Sequence, residues 1–255
     1  KTNFVYDMPT HLPAFSTFSV FRNSLAVQNY ATADLKFAGG SNLLVKDLKT
    51  HYPQWNIHPF NSKPLNGVIL VGVGAGTGDY TNKYTTNLYK KVLNEAYIHS
   101  VRDERSKQYV ESLGLQAINT GCVTMWMLTP EFCRTIPTKK ADRCVFTLTG
   151  KGSNQKVLEE DQQLLDTLLQ NYDEVNFWIQ GDLDFGYLKR MKNIENINII
   201  PPSIEVYDRL LSEENLDYVG TRLHGGVYAM RHGKRAIIIA IDERATEINK
   251  RNNLN

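Results

Sequence analysis

The chain has 255 residues, of which 42% are hydrophobic and 22% charged, with a formal net charge of +2. That length can bury one large core or two of modest size, and a balanced charge without a long single-sign run excludes a nucleic-acid arm or a solvating tail. The apolar runs GVILVGVGAG (67–76) and RAIIIAID (235–242) fall short of the ~20 residues of a membrane-spanning helix, and KTNFVYDMPTH (1–11) lacks the two halves of a signal peptide. A cytoplasmic protein is expected.

ADLKFAGGSNLL (33–44) reads as a strand breaking into a Gly-Gly loop, and 67–76 as a buried strand ending in a Gly-rich loop. YIHSVRD (97–103) reads as a strand running into the helix DERSKQYVESLG (103–114), with Asp103 as its cap and Gly114 as its stop. TGCVTMWML (120–128) reads as a strand end, its Trp126 belonging either to the core or to the lining of a cleft. Two prolines, two lysines and no periodicity in TPEFCRTIPTKKAD (129–142) place a linker near 134–142. It separates an N-terminal domain, 1–135, from a C-terminal domain, 141–255.

From 143 onward the alternation is regular. Strands are expected at 143–149, 175–180, 196–200, 216–220 and 235–241, with helices at 157–171, 184–193, 203–213, 223–232 and 242–252. Short β-branched strands alternating with amphipathic helices indicate βαβ units and a parallel sheet covered on both faces. The expected fold is α/β: two Rossmann-like doubly wound domains facing across a cleft, the site lying beyond the carboxyl ends of the strands.

That geometry selects polar residues just after a strand. Arg222 and His224 follow LDYVG, where helix-end N–H groups and a guanidinium together suit phosphate or carboxylate. His224 could also move a proton there. The plainer alternative pairs Arg222 with a nearby acid and makes His224 a cap. Gly225 and Gly226 favour a site, as clearance for a ligand or a facing backbone. Arg102 is a second guanidinium at a strand end, with an ion pair to Asp103 as its alternative. In GVGAGTGD, Gly72, Gly74, Gly76 and Gly78 recur every second residue rather than as G-x-G-x-x-G, so no nicotinamide cofactor is expected. Those glycines fit either close approach to a substrate or tight packing. Asp182 and Asp184 read as helix caps, with contact to the acceptor as their alternative, and the spacing of Glu205 and Glu213 reads as chance. Cys122, Cys133 and Cys144 lack zinc-site spacing and read as reduced thiols.

VRDERSKQYVESLG (101–114) followed by TGCVTMW (120–126), together with DYVGTRLHGGVYAMRHGKRAIIIAIDER (217–244), resembles the polysaccharide pyruvyl transferase family. The second stretch carries that family's R-x-H-G turn, small-residue helix, Gly, and apolar strand ending in an acid. The resemblance implies a GT-B-like fold. It also implies transfer of the pyruvyl group of phosphoenolpyruvate to two hydroxyls of a saccharide, soluble or lipid-linked, giving a cyclic ketal and inorganic phosphate. The partners it implies are that donor and that acceptor, without nucleic acid, and with at most peripheral membrane association.

On this resemblance Arg222 and His224 match the R-x-H pair and Arg102 the arginine of the RD pair. His224 would act as general acid. Arg222, Arg102 and the N–H groups around Leu223 and Gly225 would hold phosphate and carboxylate. The loops carrying Gly40, Ser41 and Asn42, and Gly74 and Gly76, would position the acceptor hydroxyls. The scheme requires no metal and no further cofactor. The family's Asn-x-Gly-Asp loop has no counterpart before Gly39, and Arg244 stands where the family has a Lys. Two rivals remain: a GT-B glycosyltransferase using a nucleotide sugar, against which the helix after the turn carries no acid, and a non-catalytic sugar- or phosphate-binding relative.

Overall fold

The computed structural model describes residues 16–40, 42–49, 54–76, 81–150 and 156–241, with 5, 7, 8 and 10 ahead of them. The chain divides into two compact units, Lys1–Trp126 and Met127–Asn255.

In the first unit, helices α1 (Thr17–Phe21) and α2 (Leu25–Ala31) precede strand β1 (Lys36–Gly39). Then β2 (Val68–Val71), α3 (Lys83–Val92), β3 (His99–Val101), α4 (Glu104–Ser112) and β4 (Ala117–Asn119) alternate. The run Val-Ile-Leu-Val of β2 is almost wholly buried, as suits a strand covered on both faces. Asn82 caps α3 by accepting from Thr85 N–H. Asp103 caps α4, and Gly114 ends it in a left-handed conformation at φ +82°, both as the sequence implies.

β1 pairs with β2 and β3 with β4, all parallel. Between β2 and β3 the described ladder reduces to one bridge, Val73 to Val101. Side chains complete the join, because buried N–H groups need acceptors. Leu70 N–H donates to His99 Nδ1 at 3.1 Å and Gly72 N–H to Ser100 Oγ at 3.0 Å. The described strands thus lie in chain order, β1-β2-β3-β4. The reversal of order that defines a doubly wound sheet does not occur among these described strands.

The second unit begins with α5 (Pro130–Cys133), capped by Thr129 and carrying proline at its start. A proline read from sequence as a breaker here initiates a helix, since its missing N–H costs nothing in a first turn. Then follow β5 (Arg143–Thr147), α6 (Glu159–Asn171), β6 (Glu174–Trp178), α7 (Asp184–Leu188), β7 (Asn198–Ile200), α8 (Ile204–Ser212), β8 (Leu216–Gly220), α9 (Leu223–Arg231) and β9 (Ala236–Ile238). α7 is shorter than expected, and the helix expected at 242–252 lies outside the described residues. The five strands form one parallel sheet in the order β7-β6-β5-β8-β9.

Side-chain alternation along β5 covers both faces of that sheet. Cys144 and Phe146 pack with Leu165 and Leu168 of α6 and Tyr187 and Leu188 of α7. Val145 packs instead with Tyr207, Leu210 and Leu211 of α8 and Ala229 of α9. This is the doubly wound arrangement that right-handed crossovers generate when the strand order runs first one way and then the other. The reversal lies between β5 and β8, and the crevice at their carboxyl ends is where such sheets bind ligands.

The join in the first unit places a neutral imidazole where protonation would break it. His99 is fully buried, accepts at Nδ1, and donates from Nε2 to Asn94 O at 2.9 Å, so it is the neutral imidazole. Burial, opposed only in part by the bond to Asn94, lowers its pKa from 6.5. The unfolded chain therefore takes up the proton first, and the contribution of His99 to stability is complete above about pH 6.5 and lost as pH falls below it. Chemical denaturation at pH 8 and pH 5 should show a smaller loss of stability for His99→Gln than for the parent. Equal losses would show that His99 does not carry the acid sensitivity.

Candidate active site

The turn from β8 into α9 forms where two strands approach closely. A Cβ on Gly220 would lie 2.5 Å from Thr147 O, so only glycine fits there. The parallel run continues one residue further, Thr221 N–H donating to Thr147 O at 3.0 Å, with the Thr149 and Thr221 hydroxyls 3.0 Å apart. Arg222 is the N-cap of α9, and no described side chain caps that helix. The N–H groups of its first turn and the positive end of its dipole are thus turned toward the strand ends.

Two buried tyrosines pin the turn from beneath. Tyr218 OH donates to Arg222 O at 2.7 Å, and Tyr207 OH donates to Gly225 O at 3.1 Å. Burial raises both phenol pKa values far above 10, so both remain donors.

Arg222 Nε donates to Leu148 O at 3.2 Å and Nη2 to Asp184 Oδ1 at 2.5 Å. The Asp184 side chain is 1% exposed and that of Arg222 29%. The carboxylate also accepts N–H bonds from Gly150 (3.3 Å), Gln180 (3.1 Å) and Gly181 (2.8 Å). Asp184 therefore does more than the helix capping expected of it: it ties the loops after β5 and β6 to the arginine after β8. The acid that the plainer reading assigns to Arg222 exists, while His224 beside it is exposed. An arginine held on one edge, a helix N-terminus and an exposed imidazole thus stand side by side, groups whose chemistry suits an anion and a proton transfer.

The glycines expected to clear space for a ligand are occupied otherwise. A Cβ on Gly226 would meet Ile238 Cγ1 at 2.5 Å and Tyr218 Cε1 at 2.8 Å, and one on Gly225 would meet the Tyr218 hydroxyl at 3.0 Å. They let α9 sit close against β8 and β9. Gly74 is corrected likewise: its Cβ would fall 2.4 Å from Arg102 Nε, so the space belongs to that arginine rather than to a substrate. The backbone of Gly76 is also engaged within the fold, its N–H donating to Leu44 O at 2.7 Å and its carbonyl accepting from Arg105 Nη2 at 3.1 Å.

Arg102, at the end of β3, is buried, 8% exposed. Its Nε lies 3.4 Å from Asp103 Oδ2, and its Nη2 donates to Asn42 Oδ1. The expected pair with Asp103 is present, and Asn42 supplies a second hold that sequence alone does not indicate. Gly40 has φ +102°, and a Cβ there would meet nothing within 4 Å, which marks an open turn. Ser41, residues 77–80 and Arg244 lie outside the described residues. Trp126 is 51% exposed and donates from Nε1 to Thr120 O at 3.0 Å, so it is not core. Its segment follows β4 as a turn with a short 3-10 helix at Val123–Met125. Glu205 accepts from Ser203 Oγ and Glu213 pairs with Arg143. None of Cys122, Cys133 and Cys144 forms a disulfide. Among the described residues no cluster of three or more His, Cys, Asp or Glu side chains could hold a metal ion, and no helix is long and apolar enough to cross a membrane.

A parallel α/β sheet with a polar turn at its switch point is a widespread design, and the sequence narrows it. The sequence model of the family described as polysaccharide pyruvyl transferase matches residues 4–243. The chain belongs to that family, nearly its whole length being matched. Comparison with curated proteins and with solved structures finds no match.

The glycine contacts yield a contrast. Alanine at Gly226 gains helix propensity but overpacks Ile238 and Tyr218, so Gly226→Ala should lose ~1–3 kcal/mol in urea denaturation. Gly186, in α7, has open space around it, and Gly186→Ala should be neutral or stabilising by up to ~1 kcal/mol. Equal shifts in the two variants would contradict the packing assigned to Gly226.

Proposed function

We propose that this chain is a phosphoenolpyruvate-dependent pyruvyl transferase that forms a cyclic ketal on two hydroxyls of a saccharide. One observation carries the reading: in a chain of this family, Arg222 is held on one edge at the uncapped start of α9, beside an exposed His224. Phosphoenolpyruvate bears a phosphate and a carboxylate, which suit a guanidinium and helix-end N–H groups. In this reading Arg102 of the first unit supplies a second guanidinium.

The reaction balances without a further reagent. His224 delivers a proton to C3, turning the methylene into a methyl group and leaving C2 cationic. The first acceptor hydroxyl adds to C2 and gives up its proton. The bond from C2 to the phosphate oxygen then breaks, the phosphate leaves, and the second hydroxyl closes the ketal as its proton is taken up. Overall, one hydroxyl proton replaces the one delivered to C3 and the other leaves with phosphate. Arg222 and the N–H groups of Leu223 and Gly225 stabilise the anionic groups while the cation forms and phosphate departs. Holding two hydroxyls against one carbon is an orientation effect, assigned to the acceptor side with Asn42 and the loop at Gly40. The first turn of α9 carries no acidic residue, which disfavours a nucleotide-sugar donor, whose hydroxyls would call for one.

Phosphate release from phosphoenolpyruvate across a panel of saccharides tests the proposal. Arg222→Ala and His224→Ala should each abolish turnover, His224→Ala with the thermal unfolding transition in place and Arg222→Ala, which leaves the buried Asp184 carboxylate without its cation, with a lowered one; His224→Ala should retain more donor affinity than Arg222→Ala. Turnover at parental rates in both variants would refute the roles assigned.

A further inference from the structure

Two Asp–Arg pairs, each with a buried carboxylate and a half-buried arginine, stand at opposite ends of β8. At its amino end, Asp217 takes both Nε (3.2 Å) and Nη2 (2.5 Å) of Arg235, with Tyr172 OH at 2.9 Å and Ala141 N–H at 3.1 Å. There the carboxylate grips its arginine through two nitrogens. At the carboxyl end only Nη2 of Arg222 reaches Asp184, Nε goes to Leu148 O, and among the described residues nothing accepts from Nη1. A guanidinium has five N–H donors, so three remain for a ligand. Asp184 keeps its own charge satisfied through three backbone N–H bonds from the loops after β5 and β6. Both loops carry a glycine where a side chain would press on the pair. A Cβ on Gly181 would lie 3.3 Å from Arg222 Nη2, and one on Gly150 3.3 Å from Asp184 Oδ1.

We propose that Asp184 is the positioning residue of the anion site: it holds Arg222 by one edge so that the remaining donors meet the donor substrate, and fixes the two neighbouring loops in the same act. The inference rests on the proposed function, in which Arg222 receives the phosphate or carboxylate of phosphoenolpyruvate. It opposes what charge alone would give. A carboxylate beside Arg222 lowers the local positive potential, so its neutralisation should tighten anion binding if position did not matter. Under the positioning role, Asp184→Asn presents an amide that accepts at one oxygen only, the guanidinium loses its hold, and binding weakens.

Isothermal titration of the full chain with phosphoenolpyruvate and with inorganic phosphate decides by the sign. Asp184→Asn should bind phosphoenolpyruvate about tenfold or more weakly than the parent, the scale of one charge-assisted hydrogen bond. Gly181→Ala, which keeps the charge but crowds the pair, should weaken it by a smaller factor. Asp217→Asn, at the other end of the strand, should lower the unfolding temperature and leave affinity unchanged. Parental or tighter binding by Asp184→Asn overturns the positioning role while the proposed function stands. If Asp184→Asn does not fold, parental affinity in Gly181→Ala overturns it. A parent that binds neither compound refutes the proposed function and this inference together.

Discussion

A guanidinium held by a carboxylate that is almost wholly buried organises the strand ends of the second unit. Burying a carboxylate is costly unless its lone pairs are filled. Asp184 fills them with Arg222 and with three N–H groups from two different loops. The consequence is mutual: the loops after β5 and β6 and the turn after β8 are fixed relative to one another because a single side chain serves all three. Removing one partner of such a buried pair costs ~3–5 kcal/mol, so the arrangement resists drift of the arginine. It is the rigidity an anion site requires, since a guanidinium that wanders gains little by having its donors available.

The first unit uses a related device. Arg102, at a strand end, is held by the side chain of Asn42 from another loop and by its neighbour Asp103, and Gly74 leaves the space it fills. Arg222 is held by Asp184, and Gly181 faces it at a distance a larger residue would close. In each case a polar side chain from a distant part of the chain fixes the arginine and a glycine makes room for it. Within the first unit, His99 and Ser100 replace a missing stretch of backbone ladder with side-chain acceptors, bringing β3, and hence Arg102, up against β2.

What can be read from sequence follows from locality. Caps at Asp103 and Gly114, the strands of the second half and the Arg-x-His turn are signals carried within a few residues, and the structure places those elements as expected. The glycines at 74, 225 and 226 are visible in sequence, but their purpose is not, because it depends on side chains that face them from other elements. Asp184 resembles a simple cap because it opens a helix; its partner lies 38 residues away and meets it only once the strand order is known. Trp126 is ambiguous in sequence, as an apolar neighbourhood does not tell which side of a turn meets solvent. The strand order of the first unit is hidden for a similar reason, since His99 and Ser100 accept bonds across strands rather than along the chain.

The central claim is that Arg222, held by Asp184 at the start of α9, receives the anionic end of the donor. A crystal structure of the chain with phosphoenolpyruvate tests it most directly. The account predicts a phosphate or carboxylate bonded to Arg222 Nη1 and to first-turn N–H groups of α9, with the Arg222–Asp184 contact retained. Phosphoenolpyruvate bound away from that turn, or bound to an Arg222 that has left Asp184, would contradict it.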